Sequence, residues 1–330
     1  MPQSPTVTAE TKPTSARGIN DAVQPLALPP GLVPFALNLT ASGETSARRE
    51  GRTLKFFRAS SPVHSVHQIT FADGDNRVIA TMGSKTYDMA EFQFEPVEIP
   101  DCQLWLRTDS GVIIDPAGSG DDVGQWDDLS DSQFSFTQPT AANQPVTILA
   151  SQNGRTAVRF DGVNDDMSAG SVLDLQGKAG LTIIMAIKLS AAFATDGVVI
   201  ARDSAGNRGF KVFFSPADGA VYFELARTAT TTVSRGGTTN SIGIARVISC
   251  VYDGGALTMN VFVNKVNDNG VLSGTIPATI GNNGSALLLG NEGFGNEYTG
   301  DIFEVALYNR ALTTAERNQV EDYMKTRYAI

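Results

Sequence analysis

Apolar positions recur along most of this chain with period two, in short bursts separated by Gly, Asn and Asp. That pattern predicts many short β-strands joined by tight turns. Leu181 to Leu189 (LTIIMAIKL) is apolar on both faces through Ile183, Ile184, Met185 and Ala186, as in a central strand covered on both sides. Leu257, Met259, Val261 and Val263 alternate with Thr258, Asn260 and Asn264, which predicts a strand with one wet face. Further strands are expected at Val198 to Arg202, Gly209 to Phe214, Val221 to Arg227 and Ala245 to Tyr252. Between them lie the turn clusters Ala205-Gly206-Asn207, Pro216-Ala217-Asp218-Gly219 and Asp253-Gly254-Gly255. Strands at this spacing make a two-sheet jelly roll, an all-β fold.

The C-terminus changes period. Phe303, Val305 and Leu307 alternate with Glu304 and Ala306, and a turn follows at Tyr308-Asn309-Arg310. Thr313 precedes Glu316 by the spacing of a capping box, in which each side chain serves the other's backbone N–H. Val320, Tyr323, Met324 and Tyr328 then share one helical stripe. A strand running into a capped terminal helix is the expectation.

Four segments in order carry a family resemblance: Leu104-Trp105-Leu106-Arg107 with Trp126-Asp127-Asp128-Leu129-Ser130; Ala157-Val158-Arg159-Phe160-Asp161-Gly162 with Asp165-Asp166; Leu287-Leu288-Leu289-Gly290; and Gly300 to Tyr328. Together they resemble the laminin G-like group of the concanavalin A-like lectin/glucanase superfamily, over about residues 100–330. The resemblance implies a jelly-roll sandwich with a C-terminal capping helix. It says less about function, because one fold hosts unrelated activities.

The expected organisation is tripartite. Residues 1–34 are rich in Pro, Thr, Ser and Ala without a sustained apolar period, which predicts an extended arm that cannot fold alone. Residues 35–97 read as a small β-module for anchoring or oligomerisation, with strands at Ala36 to Leu39, Thr53 to Arg58, Val66 to Phe71, Val78 to Met82 and Phe92 to Val97. Asp73-Gly74-Asp75-Asn76 supplies a hairpin turn. Phe35 to Thr40, Phe56 to Ala59 and Phe92 to Val97 resemble small β domains in structural proteins of tailed bacteriophages. Residues 98–330 form the laminin G-like domain. A module of this size needs its strand edges covered, so a homo-oligomer is expected, with a trimer favoured.

Composition narrows the partners. A net charge of −10 argues against nucleic acid, which needs clustered Lys and Arg. No apolar run reaches transmembrane length, and the N-terminus lacks the pattern of a signal peptide, so synthesis in a cytoplasm is expected. Cys102 and Cys250, the chain's 2 cysteines, read as small buried thiols, with a bridge as the alternative.

Catalytic material is sparse. Hydrolases on this fold set paired carboxylates on one face of a strand, because a retaining mechanism needs them close together. Glu224 is the nearest candidate, but the position two further on is Ala226, and Glu224 is expected on a solvated sheet face. The 2 histidines, His64 and His67, fall on opposite faces of a predicted strand and cannot share a metal. Asp161, Asp165 and Asp166 are candidates for a rim calcium, a habit of laminin G-like modules; turn hydrogen bonding is the other reason for such residues. For sugar recognition the candidates are Phe294, Tyr298, Asn291 and Asn296, in a Gly-flanked polar loop where an aromatic ring is hard to bury; a Phe packed under its own loop is the alternative.

The expected protein is therefore not an enzyme. It is read as a bacteriophage virion structural protein, a head decoration, spike or tail-associated component, made in the host cytoplasm and carried on the virion surface. Its partners would be other virion proteins through residues 1–97 and a host-surface glycan. An exported or cell-surface bacterial carbohydrate-binding module is the alternative, and a degenerate glycanase the third.

Overall fold

In the computed structural model, the described residues are 94–330 apart from 119, 191–194, 205, 283 and 294, plus the backbone of 48–49, 52–53, 63–70, 76–82 and 85–88. The chain divides into two compact units, Met1–Gln93 and Phe94–Ile330.

In the first unit, β1 (Arg48–Arg49) pairs with β2 (Arg52–Thr53), and β3 (Val63–Thr70), β4 (Asn76–Met82) and β5 (Lys85–Asp88) form an antiparallel three-stranded sheet. The expected hairpin is present, with Thr70 opposite Asn76. The arm, the expected strand Ala36 to Leu39 and most of Thr53 to Arg58 lie outside the described residues.

The second unit carries β6 (Cys102–Arg107), β7 (Val112–Ile114), β8 (Val123–Asp127), β9 (Ser135–Thr137), β10 (Val146–Gln152), β11 (Arg155–Asp161) and β12 (Met167–Gly170). There follow β13 (Gly180–Leu189), β14 (Gly197–Ser204), β15 (Asn207–Phe214), β16 (Val221–Ala226), β17 (Thr232–Gly236) and β18 (Ala245–Asp253). The last are β19 (Thr258–Val263), β20 (Val266–Asn267), β21 (Leu272–Ser273), β22 (Leu287–Leu289), β23 (Thr299–Tyr308) and the helix α1 (Thr314–Tyr328). They make an 8-stranded sheet ordered β10-β11-β23-β13-β18-β19-β20, with β6 also on β23, and a 10-stranded sheet ordered β21-β17-β16-β15-β14-β22-β12-β9-β8-β7.

The main core lies between the sheets, built from Leu104, Trp126, Phe160, Phe214, Phe223, Tyr252 and Tyr298 among others. A second apolar cluster lies between the 8-stranded sheet and α1, where Ile184, Ala186, Phe303 and Ala306 meet Val320, Met324 and Tyr328. Strands β13 and β23 are therefore buried on both faces, which is why LTIIMAIKL lacks alternation. Strand β23 pairs with β13 along its length, while its other edge is divided between β11 at Thr299–Ile302 and β6 at Glu304–Tyr308.

The motifs hold this frame together. Asp128 accepts hydrogen bonds from the Trp105 N–H at 2.8 Å, the Ser130 N–H at 2.8 Å and the Ser130 hydroxyl at 2.7 Å, tying β6 to the turn after β8. Gly290 sits at φ +80, and a Cβ there would meet the Phe160 ring at 2.3 Å. The Thr313–Glu316 capping box forms as expected: the Glu316 N–H donates to the Thr313 hydroxyl, and the Thr313 N–H donates to the Glu316 carboxylate at 2.9 Å. Cys102 and Cys250 are free thiols.

Three expectations are corrected. Phe92 to Val97 does not end in a strand: Pro96–Glu98 is a 3₁₀ turn, because Pro96 has no N–H for a ladder, and Phe94 and Val97 pack on the α1 cluster. Leu257 is not a strand residue; it is half exposed at φ 51 in the turn, and β19 begins at Thr258. On α1, Tyr323 is only half-buried, edge-on to Phe94, whereas Arg317 and Glu321 join Val320, Met324 and Tyr328 on the buried face.

That buried face is polar at its anchors. Glu304 of β23 is fully buried and accepts from the Trp105 indole at 2.6 Å and the Tyr328 hydroxyl at 2.9 Å, with the Arg327 guanidinium 3.7 Å away. Glu321 accepts from the Ser249 hydroxyl at 2.9 Å and pairs with Arg317, whose guanidinium lies 3.4 Å over the Phe262 ring. Burial pushes the Glu304 carboxyl up from 4.5 to about 7, and burial likewise pushes Glu98 to about 8.

Between the ordinary carboxylate value and these raised ones the folded chain holds protons that the unfolded chain has lost. The stability they contribute is full below the unfolded value of 4.5 and is lost as pH rises through 7 to 8. Thermal unfolding of residues 94–330 is thus expected at lower temperature at pH about 8 than at pH about 5. Glu304→Gln should flatten that dependence, and an unchanged pH profile in the variant would exclude Glu304 as its source.

Candidate functional site

The outer face of the 8-stranded sheet is covered by α1, which leaves the outer face of the 10-stranded sheet. On β14 to β17 the register sets two parallel rows across that face. One row runs Val198–Phe213–Tyr222–Gly236 and the next runs Ala201–Lys211–Glu224–Ser234. Directly opposed residues on neighbouring strands are in contact range, so the rows place an aromatic strip beside a charged one.

The Phe213 and Tyr222 rings stack at 5.3 Å between centroids and 22° between planes. Tyr222 then lies over Gly236, where a Cβ would come within 2.6 Å of its ring. Val198, Ala201 and Phe213 are buried beneath this surface, and Tyr222 is half exposed at its edge. The Lys211 ammonium is 4.7 Å from the Phe213 ring centroid and 2.9 Å from Glu292, which arrives from the loop between β22 and β23. Asp203 pairs with Arg208 at 2.7 Å and accepts from the Gly209 N–H at 3.0 Å.

Glu224 corrects the solvated-face expectation: it is half-buried among Lys211, Asp203, Arg208 and Glu292. Its carboxyl is raised chiefly by desolvation. Asp196 is raised for the same reason, with the Glu292 charge adding to it. The Tyr222 hydroxyl is raised by desolvation and by the charges of Asp218 and Asp196.

The residues expected to bind sugar separate. Tyr298 is fully buried in the main core, against Phe160 and Phe214, and cannot offer its ring to a ligand. Its loop is drawn in by backbone bonds from Gly290 N–H to Val199 C=O and from Tyr298 N–H to Gly290 C=O. Phe294 lies outside the described residues. Asn291 accepts from the Gly293 N–H, and Asn296 donates to Glu292, so both brace the loop that delivers Glu292 to Lys211.

The expected metal ligands are engaged in turns. Asp161 accepts from the N–H groups of Val163 at 2.8 Å and Asn164 at 3.3 Å, Asp165 accepts from the Asp161 N–H at 2.8 Å, and Asp166 accepts from the Gln138 amide. Burial raises Asp165 to about 6, with the charges of Asp161, Asp122 and Asp166 adding to it. Among the described residues no group of three or more His, Cys, Asp or Glu could hold a metal ion. None of their helices is long and apolar enough to cross a membrane.

Sequence reasoning passed over Phe213, Tyr222, Lys211 and Glu292. A usable signal existed in the strand Val221–Ala226, where Tyr222 and Glu224 are the outward positions of an otherwise buried alternation.

Residues 161–316 match the family model of the concanavalin A-like lectin/glucanases superfamily. This segment belongs to that superfamily. Among solved structures, the lectin-like chain is similar to the ligand binding domain of botulinum neurotoxin serotype D, solved in complex with N-acetylneuraminic acid. The identity is 11% and the TM-score 0.50, covering 67% of this chain and 50% of that one. The binding domain of Paraclostridial Mosquitocidal Protein 1 is 13% identical with a TM-score of 0.47, over 71% of this chain and 53% of that one. Domain 4 of AbnA, an extracellular arabinanase from Geobacillus stearothermophilus solved with arabinotriose, is 13% identical with a TM-score of 0.43, over 68% of this chain and 98% of that one. The chain thus spans about half the length of the two toxin domains, and at these identities the likeness is one of fold. No curated protein matches the chain by sequence.

Gly236→Ala should push the Tyr222 ring out of its stack on Phe213 while leaving the sheet folded. The Tyr222 ring resonances should lose their ring-current shift by NMR; unmoved resonances would mean that the glycine does not set the ring's position.

Proposed function

We propose that the lectin-like domain is a non-catalytic sugar-recognition module, and that its ligand lies on the outer face of the 10-stranded sheet. The observation that carries this is the half-exposed Tyr222, stacked on Phe213 beside a row of polar and charged groups. A sugar's apolar face packs on such a ring, while its hydroxyls bond to the polar side chains along the rim. The botulinum domain of similar fold, which is solved with a sugar acid, supports the reading.

Catalysis is not part of the proposal, because the outward positions flanking Glu224 on β16 are Tyr222 and Ala226, which leaves it without a same-strand carboxylate. The expected results are binding to one class of oligosaccharide on a glycan array, lost in Tyr222→Ala, and no release of reducing sugar from polysaccharides. Release of reducing sugar that disappears in Glu224→Gln would overturn the non-catalytic assignment.

The finer reading is a virion surface protein of a bacteriophage, anchored by residues 1–97 as an oligomer. The order of a proline-rich arm, a small β-module and a lectin-like domain supports it. Deleting residues 1–34 should leave the lectin-like domain folded and abolish incorporation into the parent particle. Full incorporation of the truncated protein would favour an exported bacterial sugar-binding module instead.

A further inference from the structure

Lys211 and Asn296 are far apart in the chain, and one carboxylate brings them together. Lys211 Nζ donates to Glu292 Oε2 at 2.9 Å, and Asn296 Nδ2 donates to Glu292 Oε1. An amine, a side-chain amide and an acid that touches both are thus gathered at one point. Water has little access to the pair. Side-chain exposure is 9% for Lys211 and 4% for Glu292, against 32% and 61% in the surface pair Lys265–Asp322. The Lys211 ammonium also lies 4.7 Å from the centroid of the buried Phe213 ring.

The backbone fixes both ends. Lys211 lies on β15 opposite Ala201 of β14, and Val198 of β14 lies opposite Phe213. The Asn296 C=O accepts from the Val198 N–H at 3.1 Å, and Glu297 forms an isolated parallel bridge with Val198. Lys211 and Asn296 therefore approach each other from the two edges of β14, above the buried Val198 and Ala201. Holding two reacting groups in place removes most of the entropic barrier to their reaction. Burial also makes the separated charges of an ion pair costly, which favours return of a proton from ammonium to carboxylate and so a free, nucleophilic amine.

We propose that Lys211 and Asn296 become joined by a side-chain amide bond, which the chain forms by itself with Glu292 as the acid–base group. Glu292 takes a proton from the ammonium, and the freed Nζ lone pair attacks Asn296 Cγ. Nδ2 receives that proton from Glu292, together with the second proton that Nζ gives up. The Cγ–Nδ2 bond then breaks, the nitrogen leaves as ammonium, and Glu292 is again a carboxylate. One C–N bond forms and one breaks, and nothing is oxidised or reduced. The product ties the loop between β22 and β23 covalently to β15.

Mass spectrometry of the purified full chain tests this. The intact protein should be lighter than its sequence by the mass of one ammonia, whereas Lys211→Arg and Glu292→Gln, prepared in the same way, should each match their own sequences. Trypsin should fail to cut after Lys211, and residues 209–227 should be recovered linked to residues 266–310. The linked peptide distinguishes this bond from cyclisation of an asparagine onto its own backbone, which loses the same ammonia. Circular dichroism establishes that each variant is folded, and the unsubstituted chain decides the matter even if a variant does not fold. The full sequence mass in the folded protein, an ammonia loss without the linked peptide, or conversion of Asn296 to Asp would each overturn the proposal. A linked peptide that persists in Glu292→Gln would overturn the acid–base role of Glu292.

Discussion

A single buried carboxylate joins the parts of the large unit. Glu304 lies on β23, the strand both sheet faces depend on, and takes hydrogen bonds from Trp105 of β6 and Tyr328 at the end of α1. Without partners, an acid with no solvent exposure would cost several kcal/mol. With these two donors and Arg327 nearby, the same group fixes the position of the first strand, the last strand and the terminal helix relative to one another. The cost of its burial remains visible in a carboxyl displaced to about 7.

Because α1 is committed to that carboxylate and, through Glu321, to Ser249 of β18, the two outer faces of the sandwich differ. One is sealed by Val320, Met324 and Tyr328. On the other, among the described residues, no helix covers the side chains of β14 to β17, and their alternation becomes a chemical surface. The Lys211–Glu292 pair holds the loop after β22 at the border of that surface.

The sequence motifs proved to be devices of the fold. Asp128 in the Trp126 motif gathers backbone and hydroxyl donors, Gly290 makes room for Phe160, and Asp165 closes the turn behind Asp161. Each has a local reason to be recognisable, since a turn or a close approach admits few residue types. A search for ligands among those same motifs therefore led to turn carboxylates and to Tyr298, whose ring fills the core. Strands such as β10 escaped notice for the opposite reason: it is an edge strand with Leu149 exposed and a left-handed kink at Ala150, so it shows no apolar alternation.

The strand-rich fold, the strand buried on both faces, the capped terminal helix and the scarcity of catalytic pairs were all legible in the order of the residues. All of these depend on periodicity and on neighbours a few positions apart. Which aromatic rings are buried, and that Tyr222 meets Phe213 and Gly236, follows from how distant strands pack and pair. That meeting depends on strand register. Register is set by the packing of a whole sheet face, so a local pattern can announce each strand without saying what lies beside it.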